Sequence, residues 1–190
     1  MKKILVINGH PSKESYNYAL SDSYIRGAKE GGADIRGINI TDLPLEKYLR
    51  CTGKEAQCDE IKKSQDDITW AEHIVFIHPV WWSSFPGIMK TFIDLVFTPG
   101  FAYKYSPKNP IQEKLLGGRT AHIILTLNAP LWIYKFVFWS PSVVQLRDRV
   151  LAFAGIGPTR VTYVGPVIDS TEEKRKKYLE EVYLLGKKLA

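Results

Sequence analysis

Short apolar runs of strand length alternate with helical patterns along the chain, and this alternation constrains the fold more than any other feature. The apolar runs cover residues 3–8, 34–40, 73–78, 120–126 and 158–164. Helical patterns cover residues 15–30, 60–70, 86–98, 140–155 and 170–189, the last opened by a capping box of Ser170 and Glu173. Strands that alternate with helices form βαβ units and a parallel sheet. Nearly continuous apolar runs indicate that helices cover both faces of that sheet.

Five strands in this arrangement predict an α/β, doubly wound parallel sheet with the flavodoxin-like strand order 2-1-3-4-5. A length of 190 residues fits one domain spanning residues 1–190. In such sheets ligands bind beyond the carboxyl ends of the strands, at the switch point between strands one and three. Those two ends carry Gly9-His-Pro-Ser12 and His78-Pro-Val-Trp-Trp82. We therefore expect these two loops to meet at a ligand site.

The charge and composition exclude several other classes of protein. The net charge is +6, but the lysines are scattered apart from Lys174–Lys177, so we expect no nucleic-acid partner and favour anionic small molecules. The first residues are too short for a signal-peptide core, and no apolar run could span a bilayer. Cys51 and Cys58 are expected to be free thiols of a cytoplasmic protein. We assign no metal ligands.

The first loop, Asn8 to Asn17, joins a strand to the start of a helix and is rich in small polar side chains. Backbone amides at a helix start form an anion site, and Ser15 and Asn17 can add side-chain donors. The alternative is ordinary helix capping by Ser12 or Ser15. The loop matches neither the GxGxxG nor the Walker A pattern. We expect this loop to bind a phosphate or pyrophosphate group.

Two aromatic segments could complete such a site. Residues 79–86 place Trp81 and Trp82 in a strand-end loop, where an indole beside backbone polar groups suits a flat aromatic ligand. The alternative is that both indoles fill the interface between helix and sheet. Residues 99–105 carry Tyr103 and Tyr105, which share one side if the chain is extended. The alternative for that segment is a surface loop with aromatic packing.

Together these segments resemble the NAD(P)H:quinone oxidoreductase family, the DT-diaphorase-like flavoproteins of flavodoxin-like fold. The resemblance covers residues 1 to about 165 and rests on motifs that are specific in combination. They are Gly9-His-Pro11, Ser15-Tyr-Asn-Tyr-Ala-Leu20, Pro79-Val-Trp-Trp82 with Pro86 and Lys90, and Asp94-Leu-Val-Phe-Thr-Pro-Gly-Phe-Ala-Tyr-Lys-Tyr105.

The resemblance implies a role for each matching residue. The positions that would hold the phosphate part of FAD or FMN are His10, Ser15, Tyr16, Asn17 and Ala19. Gln65 matches a glutamine that contacts the cofactor, and the segment along the flavin ring is Pro79, Val80, Trp81, Trp82 and Ser83. Within it we expect Trp82 at the flavin and Trp81 in packing or a subunit interface. The substrate pocket would be closed by Tyr103, Tyr105 and Phe153, some of them from the partner subunit of a homodimer.

The chain departs from the family after the fourth strand. Thr126-Leu-Asn-Ala-Pro130 stands where the family has Thr-Thr-Gly-Gly, so Thr126, Asn128 and Ala129 are the expected contacts with the flavin edge. Tyr134 falls on the active-site tyrosine of the family, and Ser140 replaces a histidine. We expect Tyr134 to be the catalytic hydrogen-bond donor to the charged flavin, with Lys135 or Arg147 as alternative sources of positive charge.

The apolar segment Leu131–Trp139 replaces a smaller, glycine-bearing loop of the family. Its expected role is a dimer contact or a pocket lid, and the alternative is a hydrophobic mouth for lipophilic quinones or a peripheral contact with a membrane. The resemblance implies a ping-pong oxidoreductase that uses NAD(P)H as co-substrate and reduces quinones or similar acceptors. Two further alternatives are a flavodoxin-like electron carrier and a flavin-binding regulatory subunit of a potassium-efflux system.

Overall fold

A computed structural model describes residues 1–48, 59–106 and 109–189. Five parallel strands form its central sheet, in the order β2-β1-β3-β6-β7. Their bounds are β1 Lys3–Asn8, β2 Asp34–Asn39, β3 His73–Pro79, β6 Thr120–Thr126 and β7 Thr159–Val164. The predicted flavodoxin-like order is thereby confirmed, because a hairpin that lies outside this sheet supplies β4 and β5.

Helices cover both faces of the sheet. Their bounds are α1 Tyr16–Glu30, α2 Leu45–Tyr48, α3 Asp59–Trp70, α4 Gly87–Val96, α5 Pro141–Val143, α6 Ala152–Ala154 and α7 Glu172–Leu189. A 3-10 turn spans Ile40–Asp42, and π-helical segments span Ile133–Val137 and Val144–Leu151. No helix in the described ranges could cross a bilayer.

Each face of the sheet has its own hydrophobic core. On one face α1 and α7 pack on Ile4, Val6, Val75 and Ile124. On the other face α3, α4 and the 141–154 helix pack on side chains such as Leu5, Phe76 and Ile123. β3 is buried along its whole length, as a central strand covered on both sides should be. This arrangement leaves the strand ends, rather than the faces, free to form a site.

Two local features differ from the sequence prediction. Residues 103–114 form an antiparallel hairpin of β4 Tyr103–Ser106 and β5 Asn109–Lys114, where no pair of strands was predicted. Thr171 caps α7 by accepting from the Lys174 N–H at 3.2 Å, so the predicted capping box of Ser170 and Glu173 is wrong. Cys51, Cys58 and most of the loop before α3 lie outside the described residues.

Candidate active site

A cavity of about 220 Å³ opens at the carboxyl end of β3, where the strand order reverses. We call it the switch-point pocket. Its lining residues come from the loops after β1, β3, β6 and β7, and they are His10, Ser15, Tyr16, Asn17, Pro79, Val80, Trp81, Thr126, Leu127, Asn128, Val167 and Ile168. The loops after β1 and β3 therefore meet at this pocket, as the topology of the sheet requires.

The first loop is tied tightly to the sheet. The Gly9 N–H donates to the Ile77 carbonyl at 2.8 Å, and the His10 N–H donates to Asn8 Oδ1 at 3.1 Å. A side chain on Gly9 would place its Cβ 2.6 Å from the Met89 sulfur, so the buried Met89 side chain would have to shift to admit any other residue. The loop thereby brings the start of α1 to the carboxyl edge of the sheet, and no acidic residue occupies the first turn of that helix.

Polar atoms without partners converge on the start of α1. Asn17 Oδ1 accepts from the Thr126 hydroxyl at 3.0 Å, which leaves its amide Nδ2 buried and without a partner in the described structure. The Ser15 hydroxyl and Asn8 Nδ2 are likewise buried without a partner there. Buried polar groups are normally satisfied, so donors left over beside a helix start indicate a missing acceptor. A phosphate group supplies such acceptors.

His10 is anchored within its own loop. Its Nδ1 lies 2.9 Å from the Ser12 nitrogen, whose N–H can donate to it, and 3.1 Å from the Ser12 carbonyl oxygen. Partial burial lowers the pKa of His10, while the contact with the Ser12 carbonyl acts in the opposite direction. Nε2 is therefore the ring nitrogen that remains for a ligand. Tyr16 has no free hydroxyl to offer, because that group donates to the Arg175 carbonyl at 2.6 Å and burial raises its pKa to about 12.

The two adjacent tryptophans occupy different environments. Trp81 and Ser84 exchange two backbone hydrogen bonds of 2.9 Å, and the two residues between them, Trp82 and Ser83, have φ of 48° and 61°. Positive φ at both positions is the geometry of a tight type I′ turn. The turn directs Trp81 to the pocket, where it meets His10, and leaves Trp82 fully exposed at its tip.

Trp81 therefore lines the pocket and is also 46% exposed, so its expected role in packing or in a subunit interface stays a prediction. Trp82, Ser83, Ala19 and Ala129 are not among the residues that line it. A role for them in binding stays a prediction. The sequence reasoning also missed Leu127, Val167 and Ile168, although the last two follow β7 at the same edge of the sheet and the strand-end rule could have found them.

Tyr134 does not face the switch-point pocket. Its side chain is buried, and its hydroxyl accepts from the Ser142 N–H at 3.2 Å. Burial raises the pKa of this hydroxyl. The π-helical turn over Ile133–Val137 rotates Tyr134 toward the core and its aromatic neighbours toward solvent. The catalytic role expected of Tyr134 therefore stays a prediction, and its hydroxyl lies away from this pocket in one subunit.

Four other predicted residues lie away from the pocket. Tyr103 contacts Tyr105 and Phe153 edge-to-face, with ring centroids 5.3 and 5.0 Å apart, and we call these three residues the tyrosine cluster. The cluster follows α4, which leads away from the carboxyl edge for ten residues, or about 15 Å. Gln65 lies beside the end of α4 and donates to the Val96 carbonyl at 2.9 Å. Within one subunit, the switch-point pocket and the tyrosine cluster, which are the two parts of the predicted site, therefore lie apart.

A larger cavity of about 830 Å³ lies beyond Pro11 and is lined by Thr41, Leu43, Ile88 and Thr91, among others. Its larger volume does not make it the better candidate. The buried donors without partners at Ser15 and Asn17 lie on the switch-point pocket instead. We therefore take the smaller pocket as the candidate active site.

The fold and the site together define a flavodoxin-like protein with a pocket at the switch point beside buried donors that lack partners in the described structure. The chain belongs to the flavodoxin-like fold family, whose model matches residues 2–184. It is similar to a Haemophilus influenzae protein named as an uncharacterized NAD(P)H oxidoreductase, with 27% identity over 93% of this chain and 90% of that protein. It is also similar to an FMN-dependent NADH:quinone oxidoreductase of Bacillus velezensis, with 29% identity over 58% of this chain and 63% of that protein.

Among solved structures, Smu.1420 from Streptococcus mutans matches with a TM-score of 0.84 and 28% identity, over 99% of this chain and all of that chain. The names of the sequence relatives confirm the resemblance to NAD(P)H:quinone oxidoreductases that the motifs indicated. The matched part spans less than two thirds of the Bacillus velezensis protein.

Proposed function

We propose that this protein is a flavin-dependent NAD(P)H oxidoreductase that reduces quinones or similar electrophilic acceptors in the cytoplasm. One observation carries the proposal: buried donors without partners at Ser15 and Asn17 adjoin the start of α1, beside a wall formed by Trp81 and His10. An anion site next to an aromatic wall suits a ligand with a phosphate at one end and a flat ring at the other.

The residues of the switch-point pocket fit a flavin nucleotide. Ser15, Asn17 and Nε2 of His10 would hold its phosphate, and Trp81 would lie along its ring. Asn128 keeps its amide nitrogen for the ligand, because its Oδ1 already accepts from the Ile168 N–H at 3.0 Å. A bound flavin would supply the hydride chemistry between NAD(P)H and acceptor, and the protein would supply placement and electrostatics.

FMN is the flavin we propose. The pocket offers one cluster of unpartnered donors, which suits the single phosphate of FMN. The Bacillus velezensis relative is named for FMN.

The complete site needs a second subunit in this proposal. The switch-point pocket and the tyrosine cluster lie at opposite ends of the sheet in one subunit, so a homodimer would bring the pocket of one copy against Tyr103 and Tyr105 of the other. Nicotinamide and acceptor would then use the same space in turn, which is a ping-pong scheme. Tyr134 has no part in this proposal, because its hydroxyl lies in the core.

Turnover tests the proposal directly. The purified protein is loaded with FMN, and oxidation of NADH or NADPH is followed by the loss of its absorbance, with menadione as acceptor. We expect menadione-dependent oxidation and parallel lines in double-reciprocal plots. A protein that binds FMN but turns over no quinone, azo or nitro acceptor would be an electron carrier or a regulatory subunit instead.

A further inference from the structure

The segment that follows β6 exposes a large apolar surface. Trp132, Phe136 and Trp139 are 62%, 72% and 76% exposed, and Leu131, Val137 and Phe138 are also exposed. We call these six residues the aromatic surface. Single exposed apolar side chains are ordinary, but six within nine consecutive residues are a concentration of the kind that marks an interaction site.

The backbone maintains this exposure. Trp139 and Ser140 have φ of 60° and 48°, a left-handed conformation that is unfavourable for residues other than glycine. Ser140 is held there by its N–H, which donates to the Tyr134 carbonyl at 2.9 Å, and by the contact of its hydroxyl with the Tyr163 hydroxyl at 3.2 Å. Lys135 folds back, with its ammonium 4.3 Å from the centre of the Tyr163 ring. Only apolar groups therefore project from this turn.

The aromatic surface adjoins the switch-point pocket. Its segment begins at Leu131, three residues after Asn128, which lines that pocket at the carboxyl edge of the sheet. Ile168, which is 69% exposed, extends the apolar character of the same edge on the β7 side. Whatever covers the aromatic surface therefore lies beside the mouth of the pocket.

The charges around this surface favour an anionic partner by a small excess of cations. Residues 127–147 contain no Asp or Glu, and the cations among them are Lys135, which lies over the Tyr163 ring, and Arg147, which pairs with Asp148 at 2.7 Å. α7 also begins at this edge, where four cations, Lys174, Arg175, Lys176 and Lys177, outnumber three acidic residues, Asp169, Glu172 and Glu173, and Lys176 pairs with Glu172 at 2.7 Å. The whole chain carries a net charge of +6. Exposed Trp and Phe beside cations are the residues that bind the interface of an anionic bilayer.

We propose that the aromatic surface docks the protein on an anionic lipid bilayer, and that the acceptor is a quinone with a long apolar tail taken from that bilayer. This inference rests on the proposed function for the identity of the acceptor, but not for the docking itself. A second copy of the chain is the competing occupant. The homodimer proposed above joins the pocket to the tyrosine cluster and does not by itself require the aromatic surface.

Vesicle cosedimentation tests the docking with the full, FMN-loaded chain. The vesicles contain equal parts of phosphatidylcholine and phosphatidylglycerol, or phosphatidylcholine alone. The variant Trp132→Ser/Phe136→Ser/Trp139→Ser is compared with the control Ile111→Ser/Leu184→Ser, which removes two exposed apolar side chains elsewhere on the surface. We expect the wild type and the control to bind the anionic vesicles, and the triple variant to bind at least about tenfold more weakly.

Activity separates this inference from the proposed function. The triple variant should reduce menadione in solution as the wild type does, and should lose turnover of a long-tailed quinone embedded in vesicles. Absence of menadione turnover in the wild type would overturn the proposed function and leave the docking result standing. Failure of the wild type to bind anionic vesicles, or equal binding by the triple variant, would overturn the docking.

The competing occupant gives a distinct result. The docking would be overturned if the wild type did not bind vesicles and the triple variant sedimented as a smaller species than the wild type. That result would assign the aromatic surface to contact with a second copy of the chain. If the triple variant fails to fold, quenching of wild-type tryptophan fluorescence by brominated lipids decides instead. Quenching would support the docking, and unquenched fluorescence would overturn it.

Discussion

Trp81 stands edge-to-face against His10, with ring centroids 5.7 Å apart and an interplanar angle of 76°. This contact joins the loop after β3 to the loop after β1 and forms one wall of the switch-point pocket. The tight turn at Trp82 and Ser83 fixes which of the two adjacent indoles takes part. The pocket therefore has a rigid aromatic wall beside its unpartnered donors.

Replacing Trp81 should weaken FMN binding more than replacing Trp82. We expect Trp81→Ala to raise the Kd for FMN about tenfold, because the ring loses its aromatic neighbour. Trp82→Ala is the matched control from the same turn and should change the Kd less. Titration of flavin fluorescence measures both constants. A larger effect of Trp82→Ala would contradict the assignment of the wall to Trp81.

Ser15→Ala should separate ligand binding from stability. The Ser15 hydroxyl is buried without a partner in the described structure, so its removal should leave the free energy of unfolding of the flavin-free protein unchanged or higher. The same change should weaken FMN binding about tenfold and leave riboflavin, which lacks the phosphate, unaffected.

Ser23→Ala is the control for that experiment, because Ser23 lies on the same helix and its hydroxyl donates to the Leu179 carbonyl at 2.8 Å. This variant should lose about 1 kcal/mol of stability and keep its affinity for FMN. Denaturant unfolding and flavin titration provide the two readouts. An equal loss of FMN and riboflavin affinity in Ser15→Ala would contradict a phosphate site at Ser15.

Mixed dimers should restore activity if each site uses two subunits. Ser15→Ala/Asn17→Ala damages the pocket, and Tyr103→Ala/Tyr105→Ala damages the tyrosine cluster, so each variant alone should have little activity. Equal mixing after subunit exchange should restore about a quarter of wild-type activity, because half the dimers are mixed and each has one intact site. Activity that stays at the level of the separate variants would contradict a shared site.

Stability should fall as the pH drops from 6.5 toward 4. Burial lowers the pKa of both His73 and His122 to about 4, so the unfolded chain binds protons in this range that the folded protein does not. The unfolding free energy should therefore decrease by about 1.4 kcal/mol per pH unit for each histidine. His73→Gln/His122→Gln should flatten this slope in denaturant unfolding. An unchanged slope in that variant would contradict the assignment.

The fold could be predicted closely because periodicity specifies strands buried on both faces. The runs at residues 3–8 and 120–126 match β1 and β6 to the residue. The hairpin of β4 and β5 was missed because its strands pack outside the main sheet and lack a continuous apolar run. Thr171 was overlooked as the cap of α7 because the neighbouring Ser170 has the same capping chemistry.

The site was predictable in its location but less so in its side chains. The strand-end rule places His10 and Asn17 correctly, because the topology of the sheet fixes where the loops lie. It does not fix side-chain direction. The left-handed backbone at Trp82 turns that side chain away from the switch-point pocket, and the turn lacks the Asn-Gly or glycine signal that usually marks such geometry. The π-helical turn around Tyr134 likewise turns the tyrosine away from the pocket, and nothing in its sequence marked it as π-helical.

The most direct test of the central claim is titration of the flavin-free protein with FMN, followed by anaerobic addition of NADH. We expect saturable binding of one FMN per subunit with a shifted absorption spectrum, and bleaching of that spectrum by NADH. Ser15→Ala/Asn17→Ala should lose the binding while it remains folded. A folded wild-type protein that binds no FMN, or that binds FMN equally well without Ser15 and Asn17, would contradict the account.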